Sequence, residues 1–252
     1  MSTLLARKLI KAARNLPNLL RGHNIYVNRD KLRLIDHTFT SLAPEASSFA
    51  DLGGVWKVNA AYTIHALRHS SVRRGSIVDT DFPAWVEKKL GRFPNLQVVH
   101  ADFGSSEAIA AVGHVDVVFM FDVLLHQANP DWDEILSAYA RIAPCFVIYN
   151  QQYILEEQTV RLTDLPLERY MALTSDKRAD LYSYVYEHKH ELHPTYQKPW
   201  GDIHNIGQWG ITDGDLRTAM TDLGFSEVYY RNYGMFLDLP AFENHAFVFK
   251  RS

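Results

Sequence analysis

Acidic and glycine residues occur at the ends of four successive apolar segments in the first half of the chain. In chain order they are Asp51, Gly53, Gly54, Asp79, Asp102 with its neighbour Phe103, and Asp122. A glycine turn lets a ligand approach the backbone closely, and a carboxylate can accept hydrogen bonds from both ribose hydroxyls. The Asp and Phe at 102 and 103 offer an amino-group contact and a ring face to an adenine. Together these residues predict a nucleoside site.

Short apolar segments alternate with amphipathic ones from residue 48 onward, which predicts the elements that carry these acids. The predicted strands are residues 48–52, 76–78, 96–100, 115–121 and 145–149. The predicted helices are residues 60–67, 83–90, 106–112 and 131–142. Asp131 or Asn129 is the expected N-cap of the last helix. This order predicts a parallel sheet wrapped by helices, whose ligands bind outside the carboxyl ends of the strands.

The regular order breaks after residue 150. Helices are predicted at 155–162, 165–173 and 177–188, followed by irregular chain, and a further helix at 212–223 ends before Gly224. Strands at 225–230 and 246–250 predict a hairpin with a long loop at one sheet edge. We therefore expect four regions, which are a basic helical arm (1–36), an α/β core (37–150), a cap insertion (151–208), and a last helix and hairpin that complete the core (209–252).

Several segments together resemble the class I S-adenosylmethionine (SAM)-dependent methyltransferases over residues 48–150 and 209–252. The segments are FADLGGVW, SIVDTDFP, VVHADF, VDVVFMFDVLLHQ, ITDGDLRTAMTDLGFSEVYY and HAFVFKRS. The resemblance implies a Rossmann-like α/β fold with a seven-stranded, mostly parallel sheet, an antiparallel last hairpin and helices on both faces. It also implies SAM as cofactor, with S-adenosylhomocysteine (SAH) as product.

The resemblance assigns the acids and glycines to the cofactor. It puts Asp79 at the ribose position and Asp102 with Phe103 beside adenine, and it adds Asp51, Gly53, Gly54 and Asp122 to the cofactor-binding set. The sequence departs from the family's glycine pattern, because Val55 and Lys57 occupy the next two glycine positions. A dinucleotide-binding enzyme fits less well, since Gly-x-Gly-x-x-Gly is absent after the first strand.

His126 is the first candidate for a general base, because a neutral imidazole suits proton removal from a hydroxyl at physiological pH. It follows Asp122 by four residues, in the loop that borders the methyl group in the family it resembles. The alternative is that His126 caps a helix or packs under the cofactor. Tyr149 and Asn150, at the end of the fifth predicted strand, are candidates for acceptor contact.

The insertion supplies further candidates for contact with a ring-shaped or sugar-like acceptor. In its irregular part these are Trp200, Asp202 and Asn205 for binding and His204 as a second catalytic candidate. Its helical tyrosines have another interpretation, because the i, i+4 spacing of Tyr182 and Tyr186 is typical of a packed core.

No metal ligands are assigned from the sequence. His188, His190 and His193 are close in sequence, but the i, i+2 spacing does not share a helical face and no cysteine helps. A solvated helix end is the favoured interpretation. A divalent metal held by aspartates stays open, since some sugar and catechol methyltransferases use one.

Composition narrows the class of protein. Of 252 residues 47% are hydrophobic, which excludes disorder of the whole chain. Cys145 is the one cysteine, so no internal disulfide can form. No apolar run is long enough for a membrane helix and no signal-peptide core is present, so a cytoplasmic location is expected. The net charge of -3 gives no support to nucleic-acid binding.

Charge is unevenly distributed along the chain. Residues 1–36 carry a net charge of +6 and the remainder carries -9. An apolar stripe with helical spacing in residues 5–16 predicts a helix that packs on the main domain, while weak membrane contact through residues 1–21 is the alternative.

These observations predict a methyltransferase that acts on a small molecule, with a sugar or natural-product hydroxyl as the favoured acceptor. N-methylation of a heterocycle or amine is the first alternative. A non-catalytic nucleoside-binding protein with the same fold is the second, and the sequence leaves a homodimer open.

Overall fold

The computed structural model describes residues 26–174, 179–203, 206–235 and 239–251. The strands of the main sheet are β1 (Ser48–Leu52), β2 (Arg74–Asp79), β3 (Leu96–His100), β4 (Val117–Phe121), β5 (Cys145–Tyr153), β8 (Phe225–Met235) and β9 (Phe242–Arg251). Their order across the sheet is β3-β2-β1-β4-β5-β9-β8. β1 pairs in parallel with β2 and β4, and β2 with β3, whereas β8 and β9 are antiparallel. The predicted seven-stranded sheet with an antiparallel last hairpin is confirmed.

Helices lie between the strands. They are α1 (Arg29–His37), α2 (Ala61–Ala66), α3 (Ala84–Leu90), α4 (Ser106–Val112), α5 (Trp132–Ala140), α6 (Leu167–Leu173), α7 (Ala179–His188) and α8 (Asp213–Asp222). Two short strands, β6 (Val160–Arg161) and β7 (Trp209–Gly210), form a separate antiparallel ladder. No helix of the described residues is both long and apolar enough to cross a membrane.

The chain divides into two compact units. Unit 1 comprises Met1–Phe121 and Ile142–Ile148, and unit 2 comprises Asp122–Arg141 and Tyr149–Ser252. In unit 1, β1 and β4 are buried along their whole length, as expected for strands covered on both faces. An apolar cluster there consists of Val55, Ala60, Ile64, Ile77, Phe82, Val86 and Leu90.

Unit 2 has its own aromatic core. Tyr170 lies at its centre, with ring centroids 5.0 Å from Tyr182 and 5.2 Å from Tyr186. The Tyr186 hydroxyl donates a hydrogen bond to the carbonyl of Leu162 (3.0 Å), which satisfies its polar end. The interpretation of Tyr182 and Tyr186 as a packed core is therefore confirmed.

Most predicted elements agree with the structure. β1, β3 and α4 have the predicted bounds, and Asp131 is the N-cap of α5, where its side chain forms a capping box with Glu134. Thr212 caps α8, and Gly224 follows that helix with a φ of 83°, in the left-handed region that glycine favours.

The helix predicted at 155–162 is wrong. β6 forms there and pairs with β7, and a 3₁₀ turn (Leu162–Asp164) follows. Long-range hydrogen bonds hold the backbone extended, because the N–H of Thr159 donates to Oδ2 of Asp215 and that of Leu162 to the carbonyl of Gln208. These bonds outweigh the local sequence pattern that predicted a helix.

Two further expectations need correction. β8 extends to Met235 and β9 starts at Phe242, so the hairpin loop is shorter than predicted. α1 was not predicted, although Asn28 is a normal N-cap whose Oδ1 accepts the N–H of Asp30 (2.8 Å). The helix predicted over residues 5–16 lies outside the described residues.

Candidate functional site

The turn after β1 in unit 1 depends on glycine at two positions. Gly53 has a φ of 69°, and its N–H donates to the carbonyl of Val78 at 2.8 Å. A Cβ on Gly54 would lie 2.5 Å from Oδ2 of Asp51, closer than any side chain can approach. The chain therefore passes directly over the Asp51 carboxyl group.

The turn is tight although Val55 and Lys57 replace glycines. The N–H of Val55 donates to Oδ2 of Asp79 (2.9 Å), while its side chain is buried in the apolar cluster. Lys57 has a φ of 60°, in the left-handed region that glycine favours. The N–H of Ala60 donates to the carbonyl of Gly54 (3.0 Å), which closes the turn just before α2.

Asp51 is a fully buried acid beneath this turn. Burial raises its pKa to about 7, although the hydrogen bond from Thr63 Oγ1 to Oδ2 (2.5 Å) opposes that shift. Its Oδ1 is buried and has no hydrogen-bond partner within the described residues. A buried polar atom of this kind is uncommon in a folded protein and suits a site that gains partners on ligand binding.

Asp79 lies at the end of β2, as predicted, and is already engaged with the backbone. Oδ2 accepts the N–H of Val55, and Oδ1 accepts those of Thr80 (2.8 Å) and, more weakly, Asp81 (3.4 Å). Burial raises its pKa despite these bonds. An ionised carboxylate has about four acceptor positions. Because the N–H of Trp56 also bonds to Asp79, a ribose hydroxyl would take the position of the long bond from Asp81.

Asp102 and Phe103 lie just beyond β3, on the strand next to β2. The register pairs Asp79 with His100, and the N–H of Ala101 donates to the carbonyl of Asp79 (3.1 Å), so the two strand ends are adjacent. Oδ1 of Asp102 accepts the N–H of Gly104 (2.9 Å), and Phe103 is largely buried. Unit 1 thus brings together the predicted acids and glycines of the first three strands.

These residues fit an adenosyl group. The turn at Gly53 and Gly54 leaves room only for backbone, and the acids lie at the ends of adjacent strands beside it. The ribose and adenine contacts of these residues stay predictions. Oδ1 of Asp51 supports this fit independently, because it is a buried polar atom at the same turn with no hydrogen-bond partner among the described residues.

Asp122 belongs to unit 2. It has a φ of 58°, its N–H donates to the carbonyl of Tyr149 (2.8 Å), and its Oδ1 accepts a hydrogen bond from Gln151 Nε2 (2.7 Å). These contacts give Asp122 a role in ordering the backbone after β4.

His126 ends the 3₁₀ turn Leu124–His126 in unit 2. Its Nδ1 lies 2.8 Å from the carbonyl oxygen of Ile206. Because a carbonyl can only accept, Nδ1 carries the proton of the neutral ring, and the lone pair is on Nε2. In this tautomer Nε2 is the basic nitrogen of the ring.

Buried amides extend the acceptor candidates on β5. Tyr149 and Asn150 are both buried, with the Tyr149 ring 5.4 Å from that of Tyr233. Oδ1 of Asn150 and both polar atoms of the Gln152 side chain have no hydrogen-bond partner among the described residues. Sequence reasoning missed Gln151 and Gln152, although NQQ in an otherwise apolar strand is a signal for buried polar groups.

Two of the four candidates in the insertion contact other described side chains, and the other two lie outside the described residues. Oδ1 of Asp202 forms an ion pair with Arg161 (2.5 Å), and the ring of Trp200 lies 4.2 Å from that of His193. Both therefore have partners within residues 151–208. His204 and Asn205 lie outside the described residues.

Comparison with known proteins supports the fold. No protein-family model and no curated protein sequence matches the chain. The N-terminal domain of EvdMO1 with SAH bound has a TM-score of 0.57 and 14% identity, covering 90% of this chain and 82% of that one. Magnesium protoporphyrin IX methyltransferase from Synechocystis with bound SAH gives 0.55 and 12%, covering 89% and 83%.

A third structure aligns along the whole chain. It is the 1,6-didemethyltoxoflavin-N1-methyltransferase of Burkholderia thailandensis with bound 1,6-didemethyltoxoflavin and SAH, with a TM-score of 0.54 and 9% identity, covering 100% of this chain and 91% of that one. At such identities the likeness establishes the fold. The chain has the fold of the SAM-dependent methyltransferases.

Proposed function

We propose that the protein transfers a methyl group from SAM to a small molecule. The observation that carries the proposal is the edge of unit 1, where Asp79 and Asp102 end adjacent strands beside the Gly53–Gly54 turn. The structures of similar fold that contain SAH support the same cofactor. Bound SAM would supply a methyl group on a sulfonium sulfur, which leaves as the thioether of SAH.

The protein's own groups would bind the cofactor and handle a proton. Asp79 would accept a ribose hydroxyl and Asp102 the adenine amino group, while Phe103 would contact the adenine face. Since displacement at the methyl carbon needs an aligned acceptor, binding and orientation supply much of the rate. His126 would take the proton of an acceptor hydroxyl at Nε2, because its Nδ1 already donates to Ile206.

We favour a hydroxyl of a sugar or natural product as the acceptor. The support is the tautomer of His126 and the buried amides of β5, which suit a polar ligand. The net charge of -9 outside residues 1–36 argues against a nucleic acid as substrate. N-methylation is the second candidate, because the N1-methyltransferase structure covers the entire chain.

Titration calorimetry with SAM and SAH tests the cofactor. We expect micromolar binding of both, and we expect Asp79→Ala to weaken it by about 1–3 kcal/mol, or roughly five- to 150-fold in Kd, from the lost charged hydrogen bonds. Asp81→Ala is the matched control, because it removes an exposed carboxylate of the same turn. It should bind SAM like the wild type.

Two outcomes would contradict the assignment. Equal affinity in the wild type and in folded Asp79→Ala would remove Asp79 from the ribose position. No binding of SAM or SAH by the folded wild type would favour the non-catalytic alternative. If binding is found, methyl-labelled SAM with panels of sugars and heterocycles, followed by NMR of the product, distinguishes O- from N-methylation.

A further inference from the structure

Three side chains of types that can ligate a metal ion lie together at the surface of unit 1, on α1 and on the segment that begins with α2. Nε2 of His65 lies 2.6 Å from Oδ1 of Asp36, and Nε2 of His69 lies 2.9 Å from the same oxygen. All three ligand atoms lie within 4.8 Å of one another, and no other such group of His, Cys, Asp or Glu occurs among the described residues. The proposed methyl transfer makes no use of this cluster.

The backbone holds these side chains in place. The i, i+4 spacing puts His65 and His69 on one face, and the N–H of His69 donates to the carbonyl of Ala66 (3.1 Å), which continues the helical turn beyond α2. The ring of Phe39 lies 5.3 Å from that of His69 and limits its motion. The side chains are 20–23% exposed for the histidines and 48% for Asp36, so an ion can reach them from solvent.

The donor set selects the type of ion. Two imidazole nitrogens and one carboxylate oxygen match Zn²⁺ and similar borderline divalent ions, whereas Mg²⁺ and Ca²⁺ prefer oxygen ligands. Bonds of about 2.0–2.1 Å to a tetrahedral ion place its ligand atoms roughly 3.3 Å apart. The half-exposed Asp36 side chain would therefore need to move outward by only a fraction of an ångström.

We propose that Asp36, His65 and His69 bind a divalent transition-metal ion of the Zn²⁺ type, with water as the fourth ligand. Arg33 lies one turn before Asp36 on α1, but it forms its ion pair with Asp30 (3.2 Å). Arg33 therefore does not compete with the two imidazoles for the Asp36 carboxylate. On binding, the ion replaces the two hydrogen bonds to Oδ1, and each histidine must present an unprotonated Nε2.

The ion would fasten two helices that already meet at their other ends. The N–H of Asn28, at the start of α1, donates to the hydroxyl of Tyr62, at the start of α2 (2.8 Å). α2 also carries Thr63, which donates to the buried Asp51. A bound ion would thus join α1 to the helix that supports the glycine turn, and would stabilise both.

Metal analysis of untagged, chelator-treated protein tests the site. After dialysis against Zn²⁺ at pH about 7.5, where free imidazoles are neutral, we expect one tightly bound zinc per wild-type chain. Asp36→Asn and the double variant His65→Gln, His69→Gln should each weaken zinc binding more than about tenfold. Zn²⁺ should raise the Tm and slow amide exchange across residues 61–66 in the wild type alone.

The matched control is His188→Gln, which removes one imidazole from the ion pair of His188 with Glu191 (3.0 Å) and should retain wild-type zinc binding. Equal zinc affinity in the wild type and in Asp36→Asn would overturn the proposal, as would a wild type that retains no zinc. If the double variant does not fold, Asp36→Asn and the absorption bands of Co²⁺ bound to the wild type decide. Four-coordinate bands support the site, and six-coordinate bands contradict it.

Discussion

Asp79 organises its own loop as well as any ligand that reaches it. Its two oxygens accept the N–H groups of Val55 and Thr80, so the turn after β1 is tied to the end of β2. A carboxylate held in this way is preorganised, because its orientation is fixed before the ligand arrives. Loss of Asp79 should therefore lower stability as well as cofactor affinity, and binding to folded protein must be measured.

Substitution of His126 tests the methyl-transfer step more directly than it tests cofactor binding. His126→Gln keeps a polar side chain but removes the basic nitrogen, so turnover of a hydroxyl acceptor should fall about 10²–10⁴-fold. SAM affinity should stay within about twofold of the wild type, since no cofactor contact is assigned to this ring. Single-turnover kinetics and calorimetry on the same samples measure both quantities.

The control for that experiment is His114→Gln, which changes an exposed histidine outside the assigned site. It should leave turnover unchanged. Wild-type turnover in His126→Gln would show that the proton is removed elsewhere.

The sequence predicted the acids of this site better than its amides. Asp51 and Asp79 lie at the ends of β1 and β2, and Asp102 follows β3. Parallel strands bring their carboxyl ends to one edge. The hydrogen-bonding state of each acid was not predictable, because it depends on the path of the turn. Gln151 and Gln152 were missed because strand β5 runs to Tyr153, four residues beyond its last clearly apolar stretch.

At the scale of elements, a charged network joins α8 to the hairpin of β8 and β9 in unit 2. Nδ1 of the buried His245 lies 2.7 Å from Oδ1 of Asp213, and its Nε2 lies 3.3 Å from Oε2 of Glu243. Burial alone would lower the pKa of His245. The hydrogen bonds and charges of Asp213 and Glu243 outweigh it and raise the pKa above 6.5.

This raised pKa predicts a pH-dependent stability. The network's contribution is fully present below pH 6.5, the unfolded value, and is lost as pH rises through the higher folded pKa. His245→Gln should lower the free energy of unfolding by roughly 1–3 kcal/mol at acidic pH and by less at alkaline pH. Urea unfolding at several pH values measures the difference.

His100→Gln is the control, because His100 forms an exposed ion pair with Glu87 (2.9 Å), and such pairs contribute little. A His245→Gln variant whose loss of stability is independent of pH would contradict the assignment of a charged imidazole.

Elements were predictable where local pattern and burial agree. β1 and β4 are short apolar runs that the sheet buries, and α5 has both an amphipathic face and an N-cap. The helix prediction for residues 155–162 failed because hydrogen bonds to Asp215 and Gln208, which are distant in sequence, determine the conformation of this segment. A local pattern cannot report partners fifty residues away.

At the scale of the whole molecule, the separation of charge along the sequence makes its own prediction. Deleting residues 1–21 removes five basic residues and no acid, which changes the net charge from -3 to -8. If the apolar stripe predicted there packs on the main domain, the deletion should lower the Tm and leave co-sedimentation with anionic vesicles at background in both proteins.

A control variant separates charge from packing. Lys8→Gln with Lys11→Gln removes two charges and keeps Leu5, Leu9 and Leu16, so it should retain the wild-type Tm. Strong vesicle binding by the full chain that is lost on deletion would favour the membrane interpretation instead.

The conformation of Lys57 bears on how such proteins are recognised. A sequence motif that requires glycines at this turn tests only which residues are present. The turn itself is defined by its dihedral angles, and Lys57 has a φ of 60° although it is not a glycine. A pattern that requires glycine at position 57 would therefore miss this chain, although its backbone there has the positive φ that glycine favours.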